Sequence, residues 1–419
     1  MIPLVLYLVF LTVAPQLWVP LLLGWRTDYI CIVLMFGSLL MSGQGHKFFS
    51  FSLFDGLLAA FAAWVTLSAI ANGWTPESPG RVIFYWKMLL IVKLFKCLLY
   101  DVERVRRMTN WLTLLAVVLA IQAIQQKLSN DGMGWANQGL GWIDPLAHAE
   151  GEKGRSRWIG IFAGEGVYAV LFTATIPFAL AYLSKEYGIG KRMLAAIAVS
   201  LLLWGTYCTG ARGGLIATLF VVSLYLMIRS RISIKSVLMA AALSGAVYSL
   251  APAYLTTVDD VSKSSLHRVE MWAEGLDMVK ENPVFGVGPG NFRNWSGRLV
   301  GHNSAVEIQG ELGPLGLMLW ISMIYVCIKG VFAFRSAAQN EQDKGFGAAL
   351  LLSVTGYLAS AMFVTLEYET FYLLLAFCAA LGEYPPAAVR LVRRDFINII
   401  GGAAVWLMGL QAFVIMYLG

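Results

Sequence analysis

The sequence predicts an all-α polytopic membrane protein with about 12 transmembrane helices (12–13), and three observations carry that prediction. Of 419 residues, 58% are hydrophobic and 13% are charged, where a soluble domain carries about 25% charge. The apolar residues gather in continuous runs, and a helix needs about 20 of them to cross a hydrocarbon core. A membrane barrel would instead show alternating segments of about ten residues. A water-soluble globular enzyme and a barrel are both excluded.

The runs able to span are 2–23, 29–41, 51–71, 82–100, 108–126, 161–183, 193–209, 215–228, 234–250, 312–334, 346–366, 371–382 and 396–418. The first is broken by Pro15 and Pro20, and the second is short for a span, so the count is 12 or 13. The opening stretch lacks a basic region and a small-residue cleavage site, and reads as a first span. The five cysteines all fall within apolar runs, which points to buried thiols and away from a disulfide framework or zinc site. With no internal repeat and no separate soluble domain, residues 1–419 read as a single membrane domain.

The net charge is +6, and its placement speaks for topology and not for nucleic acid. Lys47, Arg104, Arg106, Arg107, Lys185, Lys191, Arg192, Arg229, Arg231, Lys235, Arg335, Lys344, Arg390, Arg393 and Arg394 occupy one alternate set of loops. The short loops of the other set hold only Arg26, Arg81 and Arg212. The first set is therefore expected in the cytoplasm. Two long segments, 127–160 and 252–304, are expected to face out. In the second, Leu266, Val269, Trp272, Leu276 and Val279 recur every three or four residues, Ser264 or Ser265 can cap, and Asn282-Pro283 ends the run. This predicts an amphipathic helix on the membrane surface or packed on the bundle.

Several polar residues at the outer ends of spans can carry chemistry. Arg212 lies in Thr209-Gly-Ala-Arg-Gly-Gly214, where glycines let a ligand or another backbone come close. It is either an interfacial anchor or a guanidinium able to grip a phosphate with two hydrogen bonds. Arg268 falls on the polar side of the amphipathic helix, as a solvated residue or a second phosphate partner. His302 opens His302-Asn-Ser-Ala-Val-Glu307, as a helix-start cap or as a base for a sugar hydroxyl. Lys87 lies about 9 Å inside its span at 1.5 Å per residue, a depth that marks a functional candidate. Lys93 and Lys96, nearer the cytoplasmic end, are expected to snorkel. Arg155 and Arg157 complete a possible outer ring of cations or act as interfacial anchors. No metal ligand set is visible: the metalloprotease motif is missing, and His302 with Glu307 alone does not make one. The glycines of Gly286-Val-Gly-Pro-Gly-Asn291 follow no strand and lack dinucleotide spacing.

Taken in order, the Gly-Ala-Arg-Gly-Gly turn, His267-Arg-Val-Glu-Met-Trp272, Asn282-Pro-Val-Phe-Gly-Val-Gly-Pro-Gly-Asn-Phe292, His302-Asn-Ser304 and Glu311-Leu-Gly-Pro-Leu-Gly316 resemble the O-antigen ligase/O-antigen polymerase superfamily. The resemblance is specific between about Thr206 and Leu317. It implies a metal-independent, inverting glycosyltransferase of the bacterial inner membrane, without cofactor and with a periplasmic active site. The donor it implies is an undecaprenyl-pyrophosphate-linked glycan, and the acceptor a lipid A-core sugar hydroxyl. Catalytic roles map onto His302, which assists the acceptor, and onto Arg212 and Arg268, which hold the pyrophosphate. Arg157, ahead of Trp158-Ile-Gly-Ile-Phe162, fits a family position although the Asn that commonly follows is missing. Arg155, Lys87, Arg81 and Asn303 join it as expected substrate-binding residues, with membrane lipids as further partners. The superfamily also contains polymerases and protein O-oligosaccharyltransferases. A lipid or solute transporter and a non-catalytic scaffold are the readings outside it.

Overall fold

The computed structural model of the protein describes residues 1–141, 154–229, 258–297, 300–384 and 390–418, and among them every regular element is helical. In chain order the helices are α1 (Ile2–Thr12), α2 (Thr27–Met41), α3 (His46–Phe49), α4 (Leu53–Ala71), α5 (Ser78–Leu98), α6 (Val102–Leu128), α7 (Glu165–Ala181) and α8 (Ile189–Thr209). They continue with α9 (Arg212–Arg229), α10 (Val258–Glu281), α11 (Phe292–Ser296), α12 (Ser304–Ala337), α13 (Glu341–Ala361), α14 (Glu369–Gly382) and α15 (Arg393–Leu418). Six of these, α4, α6, α8, α9, α12 and α15, are long and apolar enough to cross a membrane. Helices α1, α2, α7 and α14 are apolar but shorter.

The gap between this count and the expected 12–13 has local causes. The first apolar run stops as a helix at Thr12 and continues as short 3-10 turns at Pro15–Leu17 and Pro20–Leu22, because a proline has no N–H to give to a continuing helix. Helix α5 carries Arg81, Lys87, Lys93 and Lys96 among its 21 residues. The expected span 234–250, the start of segment 252–304 and residues 142–153 of segment 127–160 lie outside the described residues.

The chain divides into two compact units: 1–38, 101–256 and 335–360 form one, and 39–100, 257–334 and 361–419 the other. The first is built around α7, whose residues 167–180 are all buried; it packs against α6, α8 and α9. Small side chains allow that approach: a Cβ on Gly214 of α9 would come within 2.4 Å of the Ala169 Cβ on α7, the close packing typical of helices in lipid.

In the second unit α4 starts with a capping box, Ser52 accepting from the Asp55 N–H while the Asp55 carboxylate accepts from the Ser52 N–H, which satisfies two otherwise orphaned donors. Helix α5 packs on α4 and α14, and α10 packs on α15. The α10 stripe buries Val269, Leu276 and Met278 together with Val287, Phe292, Val306, Leu410 and Val414. The amphipathic helix is thus packed on α15. It begins at Val258, earlier than the serines predicted to cap it. Helix α12 is kinked at Gly313 (φ 71°, ψ −179°), next to Pro314, where the left-handed region favours glycine.

Candidate active site

In the second unit, the loop between α11 and α12 presents His302 with its backbone at φ 50°, a conformation costly for a residue with a Cβ. The surround fixes it. The Gly301 N–H donates to Glu307 Oε1 at 2.7 Å, and the Gly301 carbonyl accepts from Trp272 Nε1 of α10 at 3.2 Å. Thr365 Oγ1 donates to the same Glu307 oxygen. Asn303 Oδ1 accepts from the N–H groups of Ala305 (3.0 Å) and Val306 (3.3 Å) and so caps α12. Ser304 Oγ takes the Leu366 N–H at 2.9 Å. Gly301, Asn303 and Ser304 are thus each held by hydrogen bonds, while the half-buried His302 ring makes none among the described residues. Burial, and then the charges of Arg268 and His267 on α10, hold the His302 imidazole below its usual 6.5, so it is neutral and able to accept a proton at pH 7.

The glycine-rich segment before α11 winds against the kink of α12. Val287 and Gly288 donate their N–H groups to the carbonyls of Gly310 and Glu311, both at 3.0 Å. The Glu311 carboxylate in turn accepts from Gly290 (2.7 Å) and Phe292 (3.1 Å). Ser68 Oγ on α4 donates to the Phe285 carbonyl at 2.7 Å, and Asn72 Nδ2 to Gly286 at 3.2 Å. These bonds explain the run of glycines as a backbone-to-backbone seam.

Arg81, near the start of α5, stands in the field of Glu311, Glu307 and Glu367, yet it makes no hydrogen bond or ion pair within 4.0 Å among the described residues. Glu367, in the turn between α13 and α14, accepts from Trp320 Nε1 at 3.0 Å and from the Tyr372 hydroxyl. Burial pushes its carboxyl up to about 7, against the hydrogen bond from Tyr372 and the charge of Arg81. Lys87 faces Glu369 at 3.9 Å, which gives its charge a partner. Arg268 is half-buried on α10. Lys93 and Lys96 do not snorkel: each is 6% exposed, and both bond Asp55 of α4 at 2.8 and 2.7 Å. A buried carboxylate within reach makes pairing cheaper than extension to water.

The other expected residues belong to the first unit. Arg212 is the first residue of α9 and half-buried; the glycine after next serves helix packing, as described. Arg155 pairs with Glu165 at 2.9 Å. Arg157 Nε donates to the Gly139 carbonyl at 3.0 Å, and its own N–H to Gln126 Oε1 at 3.1 Å. Among the described residues no three His, Cys, Asp or Glu side chains are grouped to hold a metal ion.

Residues 196–321 match the family model described as O-antigen ligase. The O-antigen ligase match nearly coincides with the stretch on which the motifs rest, and contains Arg212, Arg268, His302, Asn303, Glu307 and Glu311. No curated protein matches the chain. Residues 196–321 are thus similar to the O-antigen ligase family, in line with the resemblance of the motifs, and the six helices long and apolar enough to cross a membrane suggest a multi-pass membrane protein. Arg81, Lys87, Arg155 and Arg157 lie outside the matched segment. Reasoning from sequence missed Glu307, Glu311 and Glu367 as parts of the site, although carboxylates bordering or inside apolar runs are themselves a signal.

Proposed function

We propose that the protein is an O-antigen ligase. It moves a glycan from undecaprenyl pyrophosphate to a lipid A-core sugar hydroxyl, at the periplasmic face of the bacterial inner membrane, without a metal. The observation that carries this is the O-antigen ligase match over 196–321, joined to the His302 imidazole inside that segment, whose neighbours Gly301, Asn303 and Ser304 are hydrogen-bonded and whose proton affinity burial lowers.

In the proposed reaction the acceptor oxygen attacks the anomeric carbon in line with the leaving group, so the configuration inverts. His302 takes the hydroxyl proton. The bond from the anomeric carbon to the pyrophosphate oxygen breaks, and its electron pair leaves with undecaprenyl pyrophosphate. Arg268 and Arg212 stabilise that developing charge, the step where fixed cations lower the barrier most. Arg81 is the substrate-binding residue whose side chain stands uncommitted. Lys87, Arg155, Arg157 and Asn303 are engaged by Glu369, Glu165, Gly139 and the α12 cap, and would exchange those contacts to meet a substrate.

The test is a purified-protein assay with undecaprenyl-pyrophosphate-linked glycan and rough lipopolysaccharide in EDTA, comparing wild type with His302→Ala. A ladder on lipopolysaccharide that disappears in the variant is expected. Longer glycan on the lipid carrier with no ladder would make the protein a polymerase, and strict dependence on a divalent ion would overturn the metal-free chemistry.

A further inference from the structure

We propose that a lysine-lined cavity at the C-terminal end of α5 binds the phosphate of an anionic glycerophospholipid headgroup. The cavity measures about 320 Å³ and lies wholly within the second unit, at the small end of the roughly 300–1,000 Å³ typical of ligand sites. It is lined by Lys47 of α3, Ser50 and Ser52 ahead of α4, Lys93 and Lys96 of α5, and Glu383 after α14. With Asp55 behind this wall, three ammonium groups face two carboxylates. One positive charge is left over.

The hydrogen-bond inventory locates that surplus. Each ammonium has three N–H donors. Lys96 commits all of its own, to Ser52 Oγ, Asp55 Oδ1 and Glu383. Lys93 commits two, to the Ser50 carbonyl and Asp55 Oδ2, and keeps one. Lys47 rests on the face of Tyr100 with its nitrogen 5.5 Å from the ring centre, and makes no hydrogen bond or ion pair among the described residues. The uncommitted donors of Lys47 and Lys93 border the same space. Two point charges with free N–H groups suit a phosphate oxygen.

The rim says that the phosphate belongs to a lipid. Phe51 and Tyr384 line the cavity yet are 68% and 54% exposed, and neighbouring Phe49 is 82% exposed. Exposed aromatics beside lysines mark the headgroup level of a bilayer, and basic clusters there draw anionic lipids. Fifteen residues of helix separate Lys96 from Arg81, about 22 Å at 1.5 Å each. The cavity therefore stands at the end of α5 opposite the proposed transfer site and uses none of its residues.

Binding is measured on the full-length protein in a non-ionic detergent, without donor or acceptor, so its failure leaves the ligase reading untouched. Dihexanoylphosphatidylglycerol, dihexanoylphosphatidylcholine and inorganic phosphate are titrated against wild type, Lys47→Gln and Lys47→Arg, with thermal shift and native mass spectrometry as readouts. The phosphatidylglycerol is expected to bind wild type and Lys47→Arg alike, and Lys47→Gln about tenfold more weakly, the worth of one charge-assisted contact. Equal affinity for phosphatidylcholine, or an unchanged affinity in Lys47→Gln, overturns the proposal. Inorganic phosphate binding as tightly as the lipid overturns the lipid assignment and leaves a soluble-phosphate site. If Lys47→Gln lowers the unliganded melting temperature, the wild-type preference for phosphatidylglycerol over phosphatidylcholine decides alone.

Discussion

At the scale of single residues, the left-handed backbone of His302 separates chemistry from folding. A non-glycine residue there costs about 1–2 kcal/mol, and asparagine is among the few that visit the region readily. His302→Asn is therefore expected to keep the wild-type melting temperature while transfer falls at least a hundredfold, the usual loss with a general base. Transfer lost together with the melting temperature would make the histidine a structural residue. The same imidazole gives a pH test. Its folded value lies below 6.5 because of burial and the charges of Arg268 and His267, so transfer should hold from pH 8 down to 6.5 and fall only below that. Arg268→Gln removes a repelling charge, raises the imidazole toward its ordinary value, and should move the acid limb of residual activity to higher pH. A limb that stays in place would separate Arg268 from the histidine. His302, Arg268 and Asn303 were legible in the sequence as candidates because motif and residue type coincide. The hold of Glu307 on Gly301 was not, since a carboxylate-to-backbone contact leaves no periodic trace.

At the scale of elements, the seam between the glycine-rich segment and the α12 kink tolerates no side chain. A Cβ at Gly286 (φ +66°) would lie 2.4 Å from the Glu311 carbonyl carbon and 2.5 Å from the Gly310 oxygen. Gly286→Ala combines left-handed strain with a backbone clash, and is expected to destabilise the protein by about 3 kcal/mol or more, read as a lower melting temperature in detergent. A variant melting like wild type would show that the seam yields. The sequence showed the glycines, the proline and the end of α10 at Asn282-Pro283, because each has a local physical reason. It did not show that the glycines serve carbonyl-to-amide pairing with α12, which depends on residues more than twenty positions apart.

At the scale of the whole molecule, buried charge shapes stability. The fold holds Glu367 up at about 7 against a reference of 4.5, so it favours the protonated form. That contribution is fully present below pH 4.5 and is lost as pH rises through 7, a difference of about 3 kcal/mol. Wild type should melt progressively lower from pH 5 to 8, while Glu367→Gln should flatten this slope; parallel curves would remove Glu367 from the account. The all-helical class and its apolar runs were legible because composition and run length decide them. The number of spans was less so, since prolines shorten α1 and four cations interrupt α5. Those cations also bear on how the chain enters the bilayer. Asp55 and the lysines that pair with it belong to consecutive helices, so α4 and α5 can leave the translocon as an ion-paired hairpin soon after synthesis, with its positive charge partly offset. Glu383 emerges nearly 300 residues later, and until then Lys96 must share one carboxylate with Lys93. The hairpin is committed early, and α14 closes the charge balance last.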